Sequence, residues 1–171
     1  MSSPIALASE YWQKQGVKLR PPANRAEIVS VFLAYQQRPT RDVLELYESL
    51  DGFTDHQSCC HHFSLWSLAE IEEKNAHNPT TDIWFADYLI ESHYFSLHPE
   101  DQSTSSVHAQ YFHLDGQTES VRVADSLEDF LRRLVEDPES VHVFPLGTDG
   151  SQGHGFSLSG WWNRLRNWLR L

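Results

Sequence analysis

Apolar residues recur at helical spacing along the first third of the chain and then switch to the alternation of strands. Ser3-Pro4 predicts a first helix, with proline at the first helical position, running to Gln15 and halted by Gly16. Asn24 and Glu27 stand at capping-box spacing ahead of Ile28, Val31, Phe32 and Tyr35, which follow the i, i+3, i+4, i+7 rule. Thr40 is expected to cap the next helix, within Arg41–Phe53 (RDVLELYESLDGF), where Val43, Leu44, Tyr47 and Leu50 share one side. Asp51-Gly52 is expected to close that helix, because glycine takes the left-handed conformation readily, and Phe53 falls where an aromatic folds back towards Tyr47. Ser67 with Glu70 forms a second capping box, opening a short polar helix, Leu68–Asn75.

Strands dominate after that point. Asp82–Pro99 (DIWFADYLIESHYFSLHP) is a strongly apolar β-forming run carrying one acid, Asp87, followed by a turn and a second aromatic strand. The expected strands are Ile83–Tyr88, Tyr94–Leu97, Ser106–Leu114 and Thr118–Val123, the last two flanking the hairpin signal Asp115-Gly116. Alternation puts Val107, Ala109 and Tyr111 on one face and His108, Gln110 and Phe112 on the other, a mixed face that reads as partly open or covered by a partner. Ser126 caps a final helix whose Leu127, Phe130, Leu131, Leu134 and Val135 make a continuous apolar stripe. Helices, then strands, then a helix predict an α+β fold, a mostly antiparallel twisted sheet packed with N-terminal helices and a C-terminal helix.

Composition narrows the class. With 171 residues, 40% hydrophobic and 12% aromatic, the chain reads as one soluble domain and not as a disordered segment. No basic end followed by an apolar run announces a secretory signal, and the longest uncharged apolar stretch, Ile28–Tyr35, is far below the ~20 residues of a membrane span. The two cysteines, Cys59 and Cys60, are adjacent and ill placed to bridge each other, which suits a reducing, cytoplasmic setting. The net charge is −11, and between Asp42 and Asp101 thirteen acids face a single base, Lys74. Such a surface repels nucleic acid, whose binding needs lysines and arginines, and attracts a basic protein. A solubilising surface is the alternative reading of the same charge.

After Val141–Leu146 the composition changes. Residues 1–146 are expected to form the domain, 147–160 a Gly/Ser-rich linker and 161–171 a Trp/Arg-rich amphipathic tail. On a helix, Trp161, Trp162, Leu165, Trp168 and Leu169 gather opposite Asn163, Arg166, Asn167 and Arg170. The segment Trp161–Leu171 suits a membrane surface or a groove on a partner, with docking onto the acidic body as the alternative. Membrane contact is disfavoured, since that body is repelled by anionic lipid.

For chemistry, the densest cluster is Asp55-His56-Gln57-Ser58-Cys59-Cys60-His61-His62. Its spacing is poor for structural zinc, and on a strand Cys59 with His61, or Cys60 with His62, forms at most a pair. His93, His98, His108 and His113 fall in strand regions and are expected to pack or to sit at the surface. HExxH, CxxC and GxSxG are absent, and Gly147–Gly155 lacks the Lys-Ser/Thr ending of a phosphate loop. No enzyme, cofactor or metal is called for, a metal-binding protein or enzyme using Asp55–His62 being the lesser alternative. Asp87 reads as a buried carboxylate paired with a donor more readily than as a functional acid.

Arg41–Phe53, Asp82–Pro99 and Val123–Pro138 (VADSLEDFLRRLVEDP) together resemble the SUKH superfamily, which includes fungal cell-wall-assembly regulators and bacterial immunity proteins that neutralise toxins. The resemblance runs from about Trp12 to Pro138 and implies a non-enzymatic binding module that occludes a basic toxin domain, or a regulatory or scaffold protein of the same fold. The family supplies no catalytic residues. Within this reading Asp51, Asp55, Glu70, Glu72, Glu73, Asp87 and Glu91 are the candidate partner-binding acids, with Phe53, Trp66 and Trp84 as candidate apolar anchors or core residues.

Overall fold

The computed structural model describes residues 3–54, 58–59, 62–78, 80–112 and 118–141. Asp115-Gly116, His113, residues 147–171 and most of the Asp55–His62 cluster lie outside them. Three helices come first, α1 (Pro4–Lys14), α2 (Arg25–Ala34) and α3 (Arg41–Tyr47). Strand β1 (Phe63–Leu65) and helix α4 (Leu68–Asn75) follow. Strands β2 (Ile83–Tyr88), β3 (His93–Pro99), β4 (Ser105–Phe112) and β5 (Thr118–Ala124) lead to helix α5 (Leu127–Glu136). The five strands lie side by side in chain order and every pairing is antiparallel. The α+β class and the antiparallel sheet are therefore as expected.

Local chemistry explains where most helices begin. The Ser3 side chain accepts from Ala6 N–H, Asn24 and Glu27 close a reciprocal capping box, and the Ser126 hydroxyl accepts from Asp129 N–H at 2.9 Å. Gly16, at φ +81°, turns the chain after α1, and open space surrounds the position its side chain would take.

Two expectations near α3 are corrected. Thr40 stands at the N-cap without capping, because its hydroxyl donates to Asp42 Oδ1 at 2.5 Å and lies 2.7 Å from Ser105 Oγ. Asp42 takes over the task, accepting from Val43 N–H at 2.9 Å through Oδ1 and from Ser105 N–H at 3.0 Å and Leu127 N–H at 3.4 Å through Oδ2. One buried carboxylate thereby joins the starts of α3, β4 and α5. The helix also ends at Tyr47, before Asp51-Gly52. Gly52 does adopt φ +73°, but for a different reason. A β-carbon there would stand 2.5 Å from Ser67 N and from Trp66 C, so glycine is needed to let two backbones pass. Phe53 turns to Trp12, at 4.9 Å between ring centroids, and to Phe63 at 6.1 Å.

The core fills the side of the sheet covered by α1 and α5, which pack on one another. Phe130 from α5 sits 5.0 Å from Phe95, 5.8 Å from Phe63 and 6.0 Å from Phe85, ring to ring. Tilted and edge-to-face pairs of this kind add to the burial of large apolar side chains. Val107, Ala109 and Tyr111 of β4 face this core as alternation requires. Helix α4 packs against β2 and α2, where Asn75 Nδ2 donates to Trp84 O at 2.8 Å and its Oδ1 accepts from Trp84 N–H at 2.9 Å. No helix among the described residues is long and apolar enough to cross a membrane.

Candidate functional site

The acids singled out in the sequence separate into two groups once the chain is folded. Glu70 is buried, and its Oε2 accepts from Ser67 N–H at 2.8 Å and from the Ser67 hydroxyl at 2.7 Å, closing the capping box of α4. Asp51, half-buried, adds a second cap by accepting from Leu68 N–H at 2.8 Å. Burial raises its pKa, against the lowering effect of that N–H. Asp87 is buried too, its Oδ2 accepting from Trp66 Nε1–H at 2.7 Å and its Oδ1 from Glu91 N–H at 3.2 Å. Burial again raises the carboxyl pKa, and the two donors pull it back only in part. Asp55 lies outside the described residues.

Glu72, Glu73 and Glu91 are the exposed group. Glu72 and Glu73 lie on α4, and Glu91 in the turn between β2 and β3, bound to Lys74 of α4 through Oε1. That hydrogen bond is the leading cause of the raised Lys74 pKa, and it fixes the turn against the helix. Glu91 Oε2 accepts from the Tyr94 hydroxyl at 3.0 Å. The proposed aromatic anchors are not on this surface, since Phe53, Trp66 and Trp84 are all buried.

What the turn presents is a residue that the sequence did not flag. Leu89, Ile90 and Glu91 all have left-handed backbones, at φ 51°, 53° and 62°. Such a conformation costs about 1–2 kcal/mol per L-residue, and is least natural for a β-branched one. Surrounding bonds hold it in place. Leu89 N–H donates to His62 O at 2.9 Å, Ser92 N–H and hydroxyl both donate to Tyr88 O at 3.0 Å, and Asp87 holds Glu91 N–H. The result is that Ile90 stands 93% exposed, against 49% for Leu33 and 42% for Leu7.

A second polar assembly lies across the outer faces of β3, β4 and β5. Ser106 Oγ–H donates to Glu100 Oε1 at 2.7 Å, so the 3.1 Å contact from Ser106 Oγ to His108 Nε2 needs the imidazole to donate. His108 Nδ1 then accepts from Ser120 Oγ–H at 3.2 Å, and Ser120 Oγ accepts from Gln110 Nε2–H at 3.0 Å. Burial lowers the His108 pKa, which favours the neutral imidazole. Its neighbour His98 lies 5.5 Å away ring to ring and meets Asp82 Oδ1 at 3.1 Å, while Arg122 bridges Glu100 at 3.0 Å. The carboxylate contacts the serine and not the imidazole, so the order differs from that of a nucleophilic triad. His93 is packed between Phe95 and Tyr111.

Among the described residues no three His, Cys, Asp or Glu side chains converge as metal ligands, and Cys59 is buried. A cleft of about 450 Å³ between the end of α2 and the segment leading into β2 is lined mainly by amides and hydroxyls. Asn75 and Asn78 there spend their side chains on Ile71 O, Trp84, Asp82 O and Thr80, which holds the segment in place. No protein-family model matches this chain, and no curated protein sequence matches it.

Proposed function

We propose that this chain is a non-enzymatic protein-binding module of the SUKH kind, an immunity protein that occludes a basic toxin domain. The observation that carries the reading is the surface shared by α4 and the 89–92 turn. Glu73 and Glu91 are exposed there beside one lysine, Lys74, with Glu72 exposed on the same helix, next to a turn whose backbone is held in an unfavourable conformation by six hydrogen bonds and ion contacts. Strain of this sort persists where the surroundings over-determine it, and clusters where proteins bind and act. An acidic face steers a basic partner, raising its association rate in a salt-dependent way. Plugging a basic cleft leaves a toxin folded and cut off from its substrate.

The test is co-expression with the product of each neighbouring gene that encodes a basic, growth-arresting domain. Growth is rescued by the parent chain and lost with Glu72→Lys/Glu73→Lys, whose purified form associates more slowly and with a flatter salt dependence. Glu70 is left out of this variant because its reversal breaks the α4 cap. Equal rescue and equal association by the double variant would rule out the acidic-face mechanism. Binding without rescue would favour the regulatory or scaffold reading.

A further inference from the structure

Ile90 has no part in the fold that its residue type explains. It touches solvent over almost its whole side chain, it stands at the middle of three left-handed residues, and β-branching makes it one of the worst choices for that backbone. Asparagine or glycine would relieve the strain at no cost in buried surface. Around it the turn is locked by Asp87, Lys74, Tyr94, His62 O and Tyr88 O, from four other segments of the chain. A rigid, fully solvated apolar side chain at the tip of a braced turn loses little entropy when it is buried, which is what gives an interface anchor its strength. Glu91 beside it, and Glu73 next to the Lys74 that ties the helix to the turn, set the sign of the charge around it.

We propose that Ile90 is the anchor of this surface, entering an apolar recess bordered by lysine and arginine side chains on a protein partner; the proposal rests on the protein-binding reading above and adds which atom group the partner must accommodate. The flanking acids choose a basic rim, and the left-handed turn fixes the angle at which the side chain projects.

The experiment places a benzophenone amino acid at position 90, and at Leu33 as the control, in the full chain expressed in its native host. Position 90 yields a light-induced adduct with a basic protein, identified from its peptides, that forms less at high salt and that position 33 does not give. With that purified partner, Ile90→Asn weakens binding at least tenfold, the loss typical of an anchor, while Ile90→Leu stays close to the parent. Because asparagine suits the left-handed backbone, the melting temperature of Ile90→Asn holds or rises; a fall would mean that the side chain serves the fold and would overturn the proposal. So would adducts only with a second copy of this chain, with an acidic protein, or in equal amount at position 33. If Glu72→Lys/Glu73→Lys abolishes rescue while Ile90→Asn keeps it, the anchor is wrong and the function stands. If Ile90 is an anchor for a basic partner and no neighbouring toxin is neutralised, the immunity reading fails and the anchor stands.

Discussion

Asp42 and Asp87 are both buried carboxylates that accept backbone N–H groups, yet the regions around them are built to opposite ends. On the helix-packed side of the sheet, Asp42 gathers Val43, Ser105 and Leu127 N–H next to a core of closely packed rings, and everything it touches is an element start. On the α4 side, Asp87 holds Trp66 and Glu91, and through Glu91 a turn that would not choose its conformation unaided. In the first region polar bonds complete a fold that apolar burial drives. In the second, polar bonds hold a surface that apolar burial does not reach. A buried acid is thus no guide to function by itself; what it holds, and whether that segment packs or projects, is the guide.

The comparison can be broken at its strongest point first. Phe130→Ala removes the ring shared by Phe63, Phe85 and Phe95 and is expected to cost about 3–5 kcal/mol by chemical denaturation; a loss under about 1 kcal/mol would show that the packed side does not carry the fold. Asp42→Ala strands buried donors from three elements, each worth about 1–3 kcal/mol when left unmet, and a total of about 2–4 kcal/mol is expected after water reaches some of them. Asp87→Asn keeps the shape and weakens the acceptor, so about 1–2 kcal/mol is expected, with faster amide exchange at Glu91 and little change in α5.

The same substitution sharpens the contrast through pH. The Asp87 carboxyl is raised from 3.8 by burial, so the native state holds this proton more tightly than the unfolded chain does. Its contribution is fully present below 3.8 and is lost as pH rises through the raised native value. Parent minus Asp87→Asn stability should therefore decline with rising pH over that window. A difference that is flat, or that grows, would show that the Trp66 and Glu91 donors outweigh burial.

Much of the fold was legible because its signals are local. Ser3, Asn24, Ser67 and Ser126 each announce a helix start within four residues, and the apolar β-forming run of β2, the aromatic β3 and the two strands flanking the hairpin signal could be drawn within three residues. Strand β1 escaped notice because three residues, Phe63–Leu65, are too few to show a period and all three are buried. Gly52 announced itself, but a glycine signal does not say whether it answers a helix end or a close approach. The site was read less well. Ser67-x-x-Glu70 already marked Glu70 as a capping residue, and naming it a partner-binding acid set that signal aside. Ile90 had no signal at all, since Leu-Ile-Glu contains neither glycine nor asparagine to mark a left-handed run. The braces that impose it arrive from Lys74, His62 and Tyr94, through contacts that only folding creates.

The order of the strands has a consequence for how the chain comes together in time. From β2 onward each strand pairs with the next one along, so that part of the sheet grows by short loop closures with little entropy lost at each step, whereas β1 reaches β2 only across α4. The packing of α1 against α5 is the opposite case, joining the two most distant helices across the whole sheet sequence. Trp12 accordingly has nowhere complete to settle until Phe63 and then α5 are in place, so α1 is expected to be among the last elements to dock.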